Sequence, residues 1–368
     1  MGLAHSPKIV TDGLAFIYDT GSGKSYKGEP TANLINQMIG TTTISYPEIV
    51  YISTATETNV ADSSAPGGQY SRFTGNTDSS NNQLYSRFNT ASIDVRNTTI
   101  TYSVYLKGSG TCHLTIYADN SGYGTSSTIT LTNEWTHYTY TRSVTNYTTN
   151  CWVAVRGILT TTDVYIAAQQ AEIKSHATPF VNGTRSATQG LLDLTNNATI
   201  NLSNVSFDSN AQMVFDGTDD YTSLGNPTAL RDLTSGTIET VYYRDASSGT
   251  YQMVFTDAGS DLEITYLGNT LQFYIGNSGL SYTHAVTDQW FNVVGTWGSG
   301  FKKLYINGVE VASGTNTGTD TGNRDRYVGG RGANFPFNGE IPIARIYGQA
   351  LTDQEVLQNY NAFKSRFL

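Results

Sequence analysis

The sequence predicts an all-β protein made of two β-sandwiches with a short C-terminal helix, and three observations carry that expectation. Apolar and polar residues alternate at period two over many short segments, an Asn-Gly pair stands between two such segments, and apolar residues at helical spacing are confined to the chain's end. Period-two alternation sends every second side chain to one face of a sheet, as a half-buried strand requires.

Ile100-Thr101-Tyr102-Ser103-Val104-Tyr105-Leu106 and Leu262-Glu263-Ile264-Thr265-Tyr266-Leu267 are strands by this criterion. In Leu304-Tyr305-Ile306-Asn307-Gly308-Val309-Glu310-Val311 the central Asn-Gly tolerates the positive φ angles of a type I′ turn, which makes the segment a hairpin. Thr352 and Glu355 have capping-box spacing, and Val356, Leu357, Tyr360, Phe363 and Phe367 follow at helical intervals, so one helix is expected to pack on the last sandwich. No fixed-period repeat or heptad array occurs, which points to a globular rather than a fibrous chain.

Composition agrees with this reading. A length of 368 residues suggests two domains, and 36 Gly, 25 Tyr and only 14% charged residues suit short strands and tight turns. With 21 basic and 30 acidic residues the formal charge is -9, and no basic run is present to neutralise phosphates, so nucleic acid is excluded as a partner. Met1 to Ser6 lacks a basic segment leading into an apolar one, and no stretch reaches the roughly 18 apolar residues that span a bilayer. The protein is therefore expected to be soluble, without membrane insertion, and made without export. Cys112 and Cys151 lie inside expected strands, where a thiol serves as a small buried hydrophobe, and both are expected to stay reduced.

The C-terminal third runs Trp290-Phe291-Asn292-Val293-Val294-Gly295-Thr296-Trp297, then the hairpin, Tyr327-Val328-Gly329-Gly330, Phe337-Asn338-Gly339-Glu340-Ile341, Ala344-Arg345-Ile346-Tyr347 and Leu351-Thr352-Asp353-Gln354-Glu355-Val356. This order resembles laminin-G-like domains of the concanavalin A-like lectin/glucanase superfamily. Pro7-Lys8-Ile9-Val10-Thr11-Asp12-Gly13-Leu14, with Tyr18-Asp19 and Ser25-Tyr26, resembles the opening of tailed-bacteriophage structural proteins that carry such a domain. In simpler relatives that opening runs almost directly into a stretch whose counterpart here, Leu192 to Asn197 and Phe215-Asp216-Gly217-Thr218-Asp219-Asp220-Tyr221, lies far downstream. The resemblance thus implies a split laminin-G-like sandwich of residues 1–30 and 183–368. The inserted residues 31–182, which contain Ser103 to Gly110 and Leu131-Thr132-Asn133-Glu134-Trp135, resemble a jelly-roll carbohydrate-binding module.

These resemblances imply a non-enzymatic virion surface protein, made in the host bacterial cytoplasm and displayed as a capsid decoration or appendage, or as a tail fibre or adhesin. Its implied partners are other virion proteins, further copies of itself, and host-surface or environmental glycans. Two other readings stand beside it: a phage glycan depolymerase on a concanavalin A-like scaffold, and a secreted bacterial adhesin.

Candidate chemistry is sparse, and no catalytic residue is assigned. Laminarinase-type relatives carry closely alternating carboxylates, Glu-x-Asp-x-x-Glu, because glycoside hydrolysis needs two facing carboxyl groups, and no such run occurs. Asp261 and Glu263 share a strand face and are expected on its solvent side. His5, His113, His137, His176 and His284 show no metal-ligand spacing, and Gly21-Ser22-Gly23-Lys24-Ser25 has Tyr18 where a phosphate loop needs glycine. Asp216, Asp219 and Asp220 offer the hard oxygen ligands of a possible Ca²⁺ site at a sandwich rim, against the plainer reading of a polar turn; no other cofactor is expected. Tyr117, Tyr123 and Trp152 are the carbohydrate-binding candidates, since flat rings cover the apolar face of a pyranose. Trp135, Trp290 and Trp297 are expected in the core.

Overall fold

A computed structural model describes residues 8–35, 49–50, 56–74, 83–88, 93–157, 163–208, 210–245, 250–320 and 323–367. The backbone divides into two compact units, one formed by Met1–Glu29 with Ser186–Leu368 and the other by Pro30–Arg185.

The discontinuous unit is a sandwich of two antiparallel sheets. One runs, in order, Ser206–Phe207, Met213–Asp216, Asn338–Tyr347, Gly236–Arg244, Trp290–Gly298, Phe301–Ile306 and Val309–Gly314, and Leu14–Asp19 joins it by pairing with Asn338–Tyr347. That pairing sets Phe16 opposite Ile346 and Asp19 opposite Ile343. The other sheet runs Asn201–Ser203, Tyr221–Gly225, Arg326–Val328, Tyr251–Asp257, Leu262–Leu267, Thr270–Ile275 and Ser278–Thr283. Phe16, Ile238, Phe255, Ile264, Phe273, Trp297 and Ile346 meet in the core between them. At the expected hairpin Asn307 and Gly308 have φ of 51° and 77°, the left-handed pair that a type I′ turn demands.

Alternation along the first sheet also decides what its outer face receives. Val293 and Ile346 point into the sandwich, whereas their neighbours Val294 and Tyr347 pack with Val356 of the helix Asp353–Phe367. The capping box forms as spaced: the Thr352 amide donates to Glu355 Oε2 at 2.8 Å, and the Glu355 amide to Thr352 Oγ1 at 3.3 Å. Val356 and Phe363 are buried, but Leu357 is 43% exposed and takes no part in the expected apolar face.

The continuous unit is a second antiparallel sandwich. One sheet runs Thr136–Val144, Thr98–Ser109, Asp163–Glu172, Gln69–Thr74 and Thr56–Ala61. The other runs Ile129–Thr130, Thr111–Ala118, Cys151–Arg156, Gln83–Arg87 and Ile49–Val50, with Gly122–Thr125 also pairing on Thr111–Ala118. Ile100, Tyr102, Val104 and Leu106 face Cys112, Leu114, Ile116 and Val153 in the core. Thr31–Ala32 pairs with Thr184–Arg185 where the chain enters and leaves this unit. Cys112 and Cys151 are free and buried, and burial pushes each thiol up to about 12.

The tryptophans divide. Trp297 is in the core as expected, and Trp290 is half-buried with its ring centre 4.8 Å from that of Phe367. Trp135 departs from expectation. It stands outside the strands, half-buried, 5.9 Å from the Tyr70 ring, with the Lys107 amino group 4.9 Å over it.

Candidate functional site

The three aromatic candidates of the continuous unit come together, and strand alternation is the cause. Cys112, Leu114 and Ile116 fill the inward positions of Thr111–Ala118, so Tyr117 points outward. Cross-strand register places Trp152 opposite Tyr117 on one side and Tyr123 opposite it on the other. The Tyr117 and Trp152 rings stack with centres 4.7 Å apart at 22°, and Tyr123 lies 4.7 Å from Tyr117 and 5.7 Å from Trp152. Trp152 is only 6% exposed, whereas Tyr123 is 53% exposed with the Arg156 guanidinium 4.3 Å from its ring centre. Trp152 therefore braces the group, and Tyr123 presents it to solvent.

Asp216, Asp219 and Asp220 also gather, each offering a carboxylate oxygen within 4.8 Å of the others'. The local backbone accounts for much of this. The Thr218 amide donates to Asp216 Oδ1 at 2.8 Å, the Asp216 amide to Asp220 Oδ2 at 2.9 Å, and Asn204 Nδ2 to Asp219 Oδ2 at 2.9 Å. Burial, reinforced by the charges of Asp216 and Asp219, raises the Asp220 carboxyl above its ordinary range. The trio can close this turn or hold a divalent cation.

The expectation for Glu263 needs correction. Rather than lying on a solvated strand face it is 5% exposed, and burial raises its carboxyl above the usual range. Leu262, Ile264 and Tyr266 point into the sandwich core, so Glu263 is on the opposite face, where it lines a cavity of about 400 Å³ with Tyr251, Met253, Ser260, Tyr274, Arg331 and Phe335. Thr256 Oγ1 donates to its Oε1 at 2.9 Å. Asp261, at the strand's mouth, is half-buried and forms an ion pair with Arg324 at 2.8 Å. Sequence alternation identifies the face of Glu263 but carries no information about Arg331 and Phe335, which share that cavity.

The remaining candidates resolve into structural roles. The Ser22 amide donates to Asp19 O at 3.0 Å and Ser25 Oγ to Leu192 O at 2.6 Å, which folds the glycine-rich segment into a turn. His284 is buried against Tyr266, 2.6 Å from its hydroxyl, and burial lowers its pKa. His5 lies outside the described residues.

No curated protein sequence matches the chain. Among solved structures it is similar to domain 4 of AbnA, a GH43 extracellular arabinanase from Geobacillus stearothermophilus in complex with arabinotriose, at 20% identity and a TM-score of 0.39, over 48% of this chain and 93% of that one. It is also similar to the binding domain of botulinum neurotoxin DC in complex with rat synaptotagmin II, at 15% identity and a TM-score of 0.40, over 48% and 50% of the two chains. The botulinum neurotoxin type G receptor binding domain follows at 17% identity and 0.38, over 48% and 49%. The chain thus spans about half the length of these neurotoxin domains. Residues 216–357 match the Laminin_G_3 family model, the concanavalin A-like lectin/glucanases superfamily, so the chain carries a concanavalin A-like domain.

Proposed function

We propose that this chain is a non-enzymatic virion surface protein of a tailed bacteriophage, displayed in several copies on capsid or tail, whose sandwiches bind neighbouring virion proteins and host-surface or environmental glycans. The phage assignment is supported by the resemblance of the opening segment around Pro7 to Leu14 and Tyr18-Asp19. The observation that carries glycan binding is the exposed Tyr123 ring, backed by the stacked Tyr117 and Trp152. A ring held rigid in this way loses little side-chain freedom when a sugar lies on it, and its apolar face matches pyranose C–H groups.

Binding without turnover is favoured by the state of the carboxylates near Glu263. Asp257 is held by Arg326 at 2.8 Å and Asp261 by Arg324 at 2.8 Å, and the sequence lacks the closely alternating Glu-x-Asp-x-x-Glu run of laminarinase-type relatives.

The test is a glycan microarray probed with the full-length protein and with Tyr123→Ala, alongside a reducing-sugar assay on host polysaccharide. Specific glycan signal that falls in the variant, with no sugar released, is expected. Absence of any glycan signal, or release of reducing ends, overturns the proposal. Immunogold labelling of intact particles from cells producing the protein checks the virion assignment, which fails if the label stays with cell debris.

A further inference from the structure

Glu263 and Arg331 line one cavity without pairing. Glu263 is 5% exposed and accepts from Thr256 Oγ1 at 2.9 Å, but it forms no ion pair among the described residues. Arg331 is near enough for its charge to act on the Glu263 carboxyl, yet burial outweighs that pull. The Arg331 guanidinium instead lies 4.8 Å from the Phe335 ring centre, with Nη1 donating to Ser260 Oγ, and it meets no carboxylate at ion-pair distance among the described residues. Other charges of the same unit are matched: Arg326 holds Asp257 and Asp320, Arg324 holds Asp261, and Arg345 faces Glu239. A charge withdrawn from water is ordinarily stabilised by an opposite one, so two unmatched charges of opposite sign in one cavity point to a ligand that matches both.

The backbone keeps them apart. Ser260 and Phe335 have φ of 64° and 55°, a left-handed conformation that side chains adopt only where their surroundings impose it. Here the Met253 amide donates to Phe335 O at 3.0 Å, the Arg331 and Asn334 backbones bridge each other, and the strand Tyr251–Asp257 bulges between Met253 and Phe255. Bulges of this kind re-aim side chains beside functional sites. Arg331 is thereby fixed towards Ser260 and Phe335 rather than towards Glu263.

The remaining walls are apolar. Tyr251, Tyr274, Met253 and Phe335 line the space, and the Tyr251 and Phe335 rings meet edge to face at 5.9 Å and 82°. The volume of about 400 Å³ falls in the range of small-molecule sites, roughly 300–1,000 Å³. A carboxylate suits the guanidinium, which only donates and can do so through two N–H groups at once, whereas an ammonium suits the carboxylate of Glu263, which only accepts once ionised. A ligand that is cationic alone leaves Arg331 unmatched and brings like charge to it. One that is anionic alone does the same to Glu263.

We infer that this cavity binds a small zwitterion with an apolar side chain, a free α-amino acid, with its ammonium on Glu263, its carboxylate on Arg331 and its side chain against Tyr251, Tyr274 and Phe335. The site goes beyond glycan binding at Tyr123 and does not rest on it.

Saturation-transfer NMR titrations of the full chain test this. L-phenylalanine is compared with phenethylamine, which lacks the carboxylate, and with 3-phenylpropionate, which lacks the ammonium; methyl glucoside is the uncharged control. L-phenylalanine is expected to bind, with both truncated probes about tenfold weaker or worse. Glu263→Gln should weaken L-phenylalanine about tenfold and erase its advantage over 3-phenylpropionate, while Tyr123→Ala should leave all three probes unchanged. Truncated probes that bind as well as L-phenylalanine overturn the inference, as does an ammonium preference that survives Glu263→Gln, L-phenylalanine signal lost in Tyr123→Ala, or signal from methyl glucoside alone. If Glu263→Gln fails to fold, the three-probe comparison on the unaltered chain still decides.

Discussion

Asn359 Nδ2 donates to Glu239 Oε2 at 2.7 Å, tying the C-terminal helix to a fully buried carboxylate in the middle of the sheet beneath it. The same amide side chain accepts from the Val10 amide at 2.7 Å and lies 2.9 Å from the Tyr347 hydroxyl. Glu239 also takes the Asn292 amide at 3.0 Å and faces Arg345 at 3.0 Å. One polar side chain on the helix thus fastens together the Val10 segment, the strand Asn338–Tyr347 and the helix itself.

Asn359→Leu should therefore destabilise the discontinuous unit by roughly 2–4 kcal/mol, because each buried group it orphans costs about 1–3 kcal/mol. Leu357→Ala, two residues away but 43% exposed, should change stability by less than about 0.5 kcal/mol. Urea unfolding of both variants checks this, and equal effects would show that apolar contact rather than the Asn359 network holds the helix.

The second prediction concerns Arg326. It is 1% exposed and bridges two buried carboxylates, Asp257 and Asp320, at 2.8 Å each, while Nη2 also donates to Leu230 O at 2.9 Å. Removing one partner of such a group leaves uncompensated charge, so Arg326→Met should cost about 3–5 kcal/mol. Adding Asp257→Asn and Asp320→Asn to Arg326→Met should restore part of that loss. Equilibrium denaturation that finds the triple variant weaker than the single one would refute the charge argument.

Much of the fold was legible because local chemistry determined it. Alternation marked the strands, Asn307-Gly308 marked a turn with two positive φ angles, and Thr352 with Glu355 marked the helix start. What escaped was coverage. Period-two spacing assigns Glu263 to the face opposite Ile264, yet whether that face meets water depends on Arg331 and Phe335, which arrive from a distant loop. Trp135 was misjudged for a related reason: it sits just before its strand, where alternation no longer dictates orientation. The Tyr117, Tyr123 and Trp152 group was found from residue type, but the brace-and-platform division among them follows from cross-strand register.

Calcium at about 5 mM, above the weakest common protein sites of roughly 1 mM, should leave the unfolding temperature unchanged, because turn donors already engage all three carboxylates of Asp216, Asp219 and Asp220. Differential scanning fluorimetry is sufficient. A calcium-dependent rise abolished by Asp219→Asn would establish the cation site that the turn reading denies.

The last prediction is a pH dependence at Glu340. Burial, with the charges of Asp208 and Asp245 added, raises its carboxyl from 4.5 to about 7. Between those values the folded chain holds a proton that the unfolded chain has released, so this residue's contribution is complete below about 4.5 and is lost as pH rises towards 7. His137 and His284 work against it in the same window, since burial lowers their pKa and their contribution grows as pH rises towards 6.5. Asp94, lowered to about 2 by its hydrogen bonds with Arg96, acts in more acid solution and does not interfere. The Glu340 contribution is therefore isolated by comparison with Glu340→Gln, which carries no ionisable carboxyl. The two proteins should unfold at similar temperatures at pH 4.5, and the variant should become progressively more stable than the parent as pH rises to 8. A stability difference that is constant across this range would mean that Glu340 ionises in the folded protein as it does in the unfolded chain.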